Sequence, residues 1–271
     1  MPLTVRRLQV ADADAALRLL DTEPVVNVYL RSEARLGALR SGVWYGVEAD
    51  GGRLDALCAG GPLWVPWLGD VGLAPLLASA LGQLPPPRMI VGPRDHVLAL
   101  QGARPGWTPR EVRDPQPLMV LRRGELRVRG DERVRRGELA DLDLLTVAAA
   151  AMHREEMGID PLAIDPLGWR ARMAALVERR WSFVWAEGAE IVFKAELSAW
   201  TPEVCQVQGV YTDPQRRGRG IGTRGMAAVC ERLLEAVPVC SLYVNAYNAT
   251  AVRLYERLGF STVADFATVI F

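Results

Sequence analysis

Residues 207–225 read VQGVYTDPQRRGRGIGTRG. The first six continue a β-rich run that opens at Val204, and Asp213-Pro214 turns the chain. Gly218, Gly220 and Gly222 follow, so backbone N–H groups can converge there without side-chain obstruction. A helix begins inside the run, and its first turn adds unpaired N–H donors and a partial positive charge. Strand, glycine-rich loop and helix start together make an anion site suited to a pyrophosphate. Arg216, Arg217 and Arg219 raise the local positive potential. Gly220-x-Gly222-x-x-Gly225 also has the GxGxxG form of a dinucleotide fingerprint. That fingerprint needs its glycines directly after the strand and an acidic residue about 20 positions on. Here Asp213–Arg219 intervene, and the later position is Asn245. No Lys-Ser/Thr pair follows the glycines, so the Walker pattern fails as well.

A second constellation lies downstream, Asn245-x-x-Asn248-x-x-Ala251-x-x-x-Tyr255-Glu-Arg-Leu-Gly259-Phe260. Asn248 suits a helix N-cap and Gly259 a helix C-terminus. Tyr255 follows Asn248 by about two turns, so the two share a face.

Outward from these blocks the chain reads as alternating helices and strands. The first half runs strand Thr4–Leu8, helices over 10–20 and 24–36, then strands 43–48 and 54–59 around Asp50-Gly51-Gly52, a hairpin turn. Residues 60–72, rich in Gly, Pro and Trp, carry no clear element. Helix 73–84, strand 88–91, helix 96–101 and strand 117–122 follow. The charged segment Arg122–Arg129 marks a domain boundary, since it offers little to a core. The second half repeats the order: a strand from Val134, helices 138–156 and 165–180, and a hairpin of 181–186 with 191–200. Strand 204–212, the glycine loop and its helix to 237, strand 239–245, helix 248–258 and strand 260–270 complete it. The expectation is an α/β (α+β) protein of two similarly built domains, 1–126 and 127–271.

Composition bounds the function. With 50% hydrophobic and 24% charged residues in 271, the chain is an ordinary globular protein long enough for two domains. Lys+Arg and Asp+Glu both number 32, which argues against a general nucleic-acid or membrane-surface binder. Lys194 is the sole lysine among those basic residues. Cys58, Cys205, Cys230 and Cys240 have no CxxC spacing, so no metal site is expected; scattered thiols suit a reducing cytoplasm. No signal-peptide core or bilayer-length apolar run is present.

Gln215-x-x-Gly218-x-Gly220 resembles the Q/R-x-x-G-x-G/A signature of the GNAT N-acetyltransferase superfamily, and Asn248…Tyr255…Gly259-Phe260 is similar to its second block. The whole chain also resembles bacterial two-domain members with a degenerate GNAT-like domain ahead of the active one. Residues 21–30 and 152–161 carry that narrower likeness. The resemblance implies two tandem GNAT-like domains, each a mixed central sheet flanked by helices. It implies acetyl-CoA as cofactor, with Val210, Tyr211 and Thr212 pairing with the pantetheine arm. The pyrophosphate would lie on the loop Gln215, Arg216, Arg217, Gly218, Arg219, Gly220, Ile221, Gly222 and Thr223. Asn248 would contact the cofactor near its pantetheine end, and Tyr255 would protonate the leaving thiolate. Glu196 and Glu203 are candidates for the general base. Glu155 and Glu156 stand where a cationic acceptor is recognised or where a helix face is solvated. The N-terminal half lacks the signature at Leu63–Asp70, where Trp64 and Trp67 could fill the vacated groove. Acetyl transfer to the amine of a small molecule or a protein is the expected activity. A non-catalytic CoA-binding sensor or scaffold, and transfer of another acyl group, are the alternatives. Neither nucleic acid nor membrane is an expected partner, and the protein is expected to be a cytoplasmic monomer or homodimer.

Overall fold

A computed structural model describes residues 3–49 and 52–271. Asp50 and Gly51 of the expected hairpin turn lie outside the described residues. Along the chain run β1 (Thr4–Arg7), α1 (Ala13–Leu20), α2 (Val28–Arg35), α3 (Ala38–Ser41), β2 (Val43–Ala49), β3 (Arg53–Gly60), β4 (Leu63–Leu68), α4 (Ala74–Leu81), β5 (Met89–Pro93), α5 (Arg94–Gly102) and β6 (Glu111–Arg122). Then come β7 (Arg135–Arg136), α6 (Leu142–Met157), α7 (Pro161–Ile164), α8 (Pro166–Glu178), β8 (Ser182–Glu187), β9 (Glu190–Trp200), β10 (Val204–Thr212), α9 (Ile221–Ala236), β11 (Val239–Tyr243), α10 (Ala249–Leu258) and β12 (Ser261–Ile270).

These elements form two compact units. The first takes the residues up to Met119 with Tyr243–Ala249 and Thr262–Phe271, and the second takes Val120–Leu242 and Thr250–Ser261. No single cut near residue 126 separates them.

In the first unit the strand order is β1-β2-β3-β4-β5-β12-β6. β1 to β4 are antiparallel neighbours, and β4 then runs parallel to β5 through Leu63↔Met89 and Trp64↔Ile90. β12 closes against the other edge of β5, with Thr268 opposite Val91. Both faces of this sheet are covered. Trp64, Leu77, Leu81, Ile90, Val97 and Val269 pack on one side, and Leu20, Leu30, Trp44, Leu57 and Trp67 on the other. That explains why residues 60–72 showed no strand signal. A strand buried on both faces loses the apolar–polar alternation, and Pro66 falls beyond the last β4–β5 pair, where no ladder donor is needed. The released end of β4 is occupied from within the unit. His96, in the first turn of α5, accepts the Leu68 N–H on Nδ1 at 3.2 Å, and its ring lies 4.8 Å from that of Trp67. Burial lowers the pKa of this imidazole, which suits its role as acceptor.

In the second unit the order is β11-β10-β9-β8-β7. The β7–β8, β8–β9 and β9–β10 pairs are antiparallel and the β10–β11 pair is parallel. α6 and α8 cover one face through Leu145, Ala148 and Val177, packed on Val184, Ile191 and Tyr211. α9 lies against Phe193. A Cβ on Gly225 would come within 2.7 Å of that ring, so the third glycine of the false dinucleotide pattern serves helix–sheet packing. The expected mixed sheets flanked by helices are thus present in each unit.

Candidate active site

The site begins where two strands part. β10 and β11 pair only through Val204↔Val239, Cys205↔Cys240 and Gln206↔Ser241. From Val207 to Thr212, β10 keeps β9 on one side and has lost β11 on the other. An unpaired strand edge offers backbone donors and acceptors to an extended ligand. Val210, Tyr211 and Thr212 lie on that stretch. The β9–β10 register also slips between Gln208↔Glu196 and Tyr211↔Lys194, so Gly209 and Val210 together oppose Ala195 in a β-bulge. Gly209 has φ +60°, in the left-handed region where glycine carries least strain.

The glycine loop follows β10 directly. Asp213 accepts the Gln215 N–H on its side chain at 2.9 Å and so caps the short turn Pro214–Arg216. Gly218 and Gly220 have φ +77° and +72°, and Gly220 is the N-cap of α9. A Cβ at Gly218 would meet nothing within 4 Å, which leaves the loop backbone open to a bulky anion. The first-turn N–H groups of α9, from Ile221 to Thr223, are the remaining donors. Gly222 sits where a Cβ would press at 3.1 Å on the Thr212 hydroxyl, which ties the helix start to the end of β10.

The arginines are not simply solvated. Arg216 reaches Glu187 at 2.6 Å and Glu190 at 3.2 Å on the β8–β9 hairpin. Arg217 donates to the Thr212 carbonyl and forms a two-pronged pair with Glu155 of α6, at 2.8 and 2.7 Å. That guanidinium holds the Glu155 carboxyl below the usual carboxylate range. Both arginines are therefore positioned beside the loop by carboxylates, a feature that motif spacing does not reveal. Arg219 stands between the two positive-φ glycines.

Tyr255 projects from α10, is 7% exposed, and packs 5.7 Å from the Phe260 ring. Burial raises the pKa of its phenol above the ordinary range, with contributions from Cys230 and the Glu156 carboxylate. The hydroxyl thus stays protonated at any working pH. Asn248 directly precedes α10 and donates its N–H to the Asn245 carbonyl at 2.9 Å. It belongs to the segment Tyr243–Ala249 counted with the first unit, where Asn245 in turn accepts from Gln116 at 2.7 Å.

Of the two acids expected to serve as base, one lies away from the loop and the other lies against the bulge, already paired. Glu203 occupies the β9–β10 turn, at the end of β10 where β11 is still paired. With about 3.3 Å per strand residue, it sits far from the loop end of β10. Glu196 is 4% exposed, and its carboxylate is bonded to Lys194 at 2.6 Å. Glu156, for which both acceptor recognition and a solvated helix face are open, is exposed, and its negative charge adds to the upward shift of the Tyr255 phenol.

A family model of the Acetyltransferase (GNAT) family matches residues 151–260, the span holding the parted strands, the loop and Tyr255. That segment is a GNAT-family domain. A second family model, a domain of unknown function (DUF4081), matches residues 42–145. A mycothiol acetyltransferase of Mycobacterium leprae is 33% identical over 151 residues, 46% of this chain and 44% of that protein. One of Brachybacterium faecium is 40% identical over 79 residues, 29% of this chain and 22% of the relative. The chain therefore aligns with less than half the length of these relatives. A GCN5-related N-acetyltransferase from Sphaerobacter thermophilus superposes with a TM-score of 0.66 at 16% identity, over 98% of this chain and 94% of that one. A tandem GNAT protein from the clavulanic acid biosynthesis pathway superposes with a TM-score of 0.61 at 14% identity, over 98% of each chain. These structural likenesses establish a tandem GNAT fold.

Proposed function

We propose that the chain is an N-acetyltransferase that moves an acetyl group from acetyl-CoA to a primary amine. The observation that carries this reading is the end of β10–β11 pairing at Gln206/Ser241, followed by a glycine cradle at the open end of β10. An extended arm fits the unpaired edge, and a pyrophosphate fits the amides from Arg217 to Thr223 beside paired arginines. Bound acetyl-CoA would supply the thioester: the amine nitrogen bonds to its carbonyl carbon, the C–S bond breaks, and the sulfur leaves with the electron pair. The chain's own groups manage the charges and protons. A bulge N–H of β10 stabilises the oxyanion. The Tyr255 hydroxyl, held neutral by burial, gives its hydrogen bond or proton to the departing sulfur. The amine arrives mostly protonated, since its pKa is about 10, and must lose a proton before attack and another after it. Glu156, exposed on α6, is assigned that acceptance, acting through water, since Glu196 is already engaged by Lys194.

The first unit is read as a copy without a cofactor site, since His96 and Trp67 use the strand end that its counterpart leaves open. That leaves one acetyl-CoA per chain. The relatives' names make mycothiol-related amines the first acceptors to try, followed by other small amines and protein amines. No helix among the described residues is long and apolar enough to cross a membrane.

Incubation of purified protein with acetyl-CoA and an amine panel, reading free thiol, tests the activity. Amine-dependent thiol release that follows the appearance of acetylated amine is expected. CoA binding without release for any amine would overturn catalysis and favour a CoA-binding sensor.

A further inference from the structure

The sole lysine of the chain is wholly buried beneath the bulge. Lys194 is 0% exposed, and its ammonium donates to Glu196 Oε1 at 2.6 Å and to the Gly209 carbonyl at 3.0 Å. The space between the bulge and this pair is tight. A Cβ at Gly209 would lie 2.8 Å from Glu196 Oε2 and 3.3 Å from Lys194 Nζ. Everywhere else this chain uses arginine for positive charge. A compact ammonium and a planar guanidinium are not interchangeable at such a buried contact.

The bond to Gly209 has a directional consequence. In a trans peptide the C=O of one residue and the N–H of the next point in opposite directions. The Gly209–Val210 peptide is trans. With the Gly209 carbonyl held by Lys194, the Val210 N–H is aimed away from Lys194. The bulge takes Val210 out of the β9 ladder, and β11 has already parted. The Val210 N–H is thus the bulge donor whose direction the Lys194–Gly209 bond sets.

We propose that Lys194, with Glu196 as its counter-ion, is a positioning residue for acyl transfer: it locks the Gly209–Val210 bulge so that the Val210 N–H meets the thioester oxygen as negative charge develops there. The proposal rests on the acetyl-transfer reading above. It also gives Glu196 a role that needs no contact with the amine.

The test pairs kinetics with a binding measurement. Lys194→Met alone would leave a buried, unpaired carboxylate, so the informative variant is Lys194→Met with Glu196→Gln, which removes both charges. A folded double variant is expected to bind CoA within about threefold of wild type and to lose about 10²-fold in kcat, the scale of one lost oxyanion donor. Its pH profile should keep its shape, because the positioning role involves no proton transfer to or from either side chain. A merely structural role would instead weaken CoA binding in step with kcat. Unchanged kcat, or parallel losses in kcat and CoA affinity, would overturn the proposal.

If the double variant does not fold, valine-labelled wild-type protein answers the question by NMR. The Val210 amide signal should move further on adding a non-reactive ketone analogue of acetyl-CoA than on adding CoA alone. Equal shifts with both ligands would overturn the proposal. Thiol release by wild-type protein separates the two levels. If release occurs and these arms fail, only the positioning role falls; if none occurs, both fall.

Discussion

Gly218→Ala isolates the contribution of loop geometry to cofactor binding. Gly218 has φ +77°, and an added Cβ would meet nothing within 4 Å. The methyl group itself therefore clashes with nothing beyond the local backbone. What remains is the cost of holding an L-residue in the left-handed region, about 1–2 kcal/mol. In the free protein an open loop can relax to another backbone region and avoid most of that cost. Binding a pyrophosphate requires the amides to converge again, so the cost reappears in the affinity. About 1–2 kcal/mol corresponds to a roughly 5- to 30-fold rise in the Kd for CoA. Titration calorimetry with CoA gives the affinity, and a thermal melt without ligand gives the stability, which should fall by no more than a few degrees. Gly37→Ala is the control, because Gly37 has φ +83° and equally empty surroundings but caps α3 in the first unit. It should cost similar or greater stability and leave CoA affinity unchanged. A Gly218→Ala protein that binds CoA within twofold of wild type would refute the cradle argument, as would an equal loss of affinity in the control.

Tyr255→Phe keeps the ring that packs on Phe260, so it should fold, bind CoA normally and lose about 10²-fold or more in kcat by steady-state assay. The raised phenol pKa also stabilises the native state below the ordinary pKa of about 10, and that contribution is lost as pH climbs beyond it. Alkaline melts of Tyr255→Phe should accordingly decline less steeply than those of wild type. Glu156→Gln is expected to lower kcat/KM about tenfold or more near neutral pH and to recover as pH approaches the amine's own pKa of about 10, where free amine needs no base. A pH-independent loss would remove Glu156 from that role. Asp131 is held at about pKa 2 chiefly by its hydrogen bond from Arg133. A depressed carboxylate pKa adds stability that is present above its ordinary value and fades as pH falls through about 4 to 2. Arg133 is half exposed, so solvent screens the pair and the contribution is small. Acid titration of Asp131→Asn, followed by circular dichroism, should show a correspondingly flatter acid limb.

The parts of the site that follow from local chemistry were legible in the sequence. β10 occupies Val204–Thr212 as read, and the glycine loop leads into α9 at Ile221. Both depend on short-range rules: β-branched runs, Asp-Pro turns and glycines where φ is positive. The parts that depend on distant neighbours were not legible. Glu196 lies on a strand position that looks available to solvent until Lys194 is seen buried beside it. Arg216 and Arg217 look like free cations because Glu187, Glu190 and Glu155 come from other elements. The bulge at Gly209–Val210 needs the register of β9, which a single strand does not encode. One signal was available: a single lysine in an otherwise all-arginine basic set picks out the position on which the proposed locking of the bulge turns.

The placement of β12 bears on how the chain reaches its native state. β5 finds its second neighbour only in a strand made much later, because Ser261–Ile270 returns to lie along Met89–Pro93. A chain emerging from the ribosome must therefore hold the edge of β5 unsatisfied while the whole catalytic segment is synthesised. Unpaired edges are templates for wrong partners, including the same edge on another nascent chain. The first unit is thus the last to be completed although it is the first to be made. Separate expression of residues 1–126 would yield a protein that lacks a strand from the middle of its own sheet.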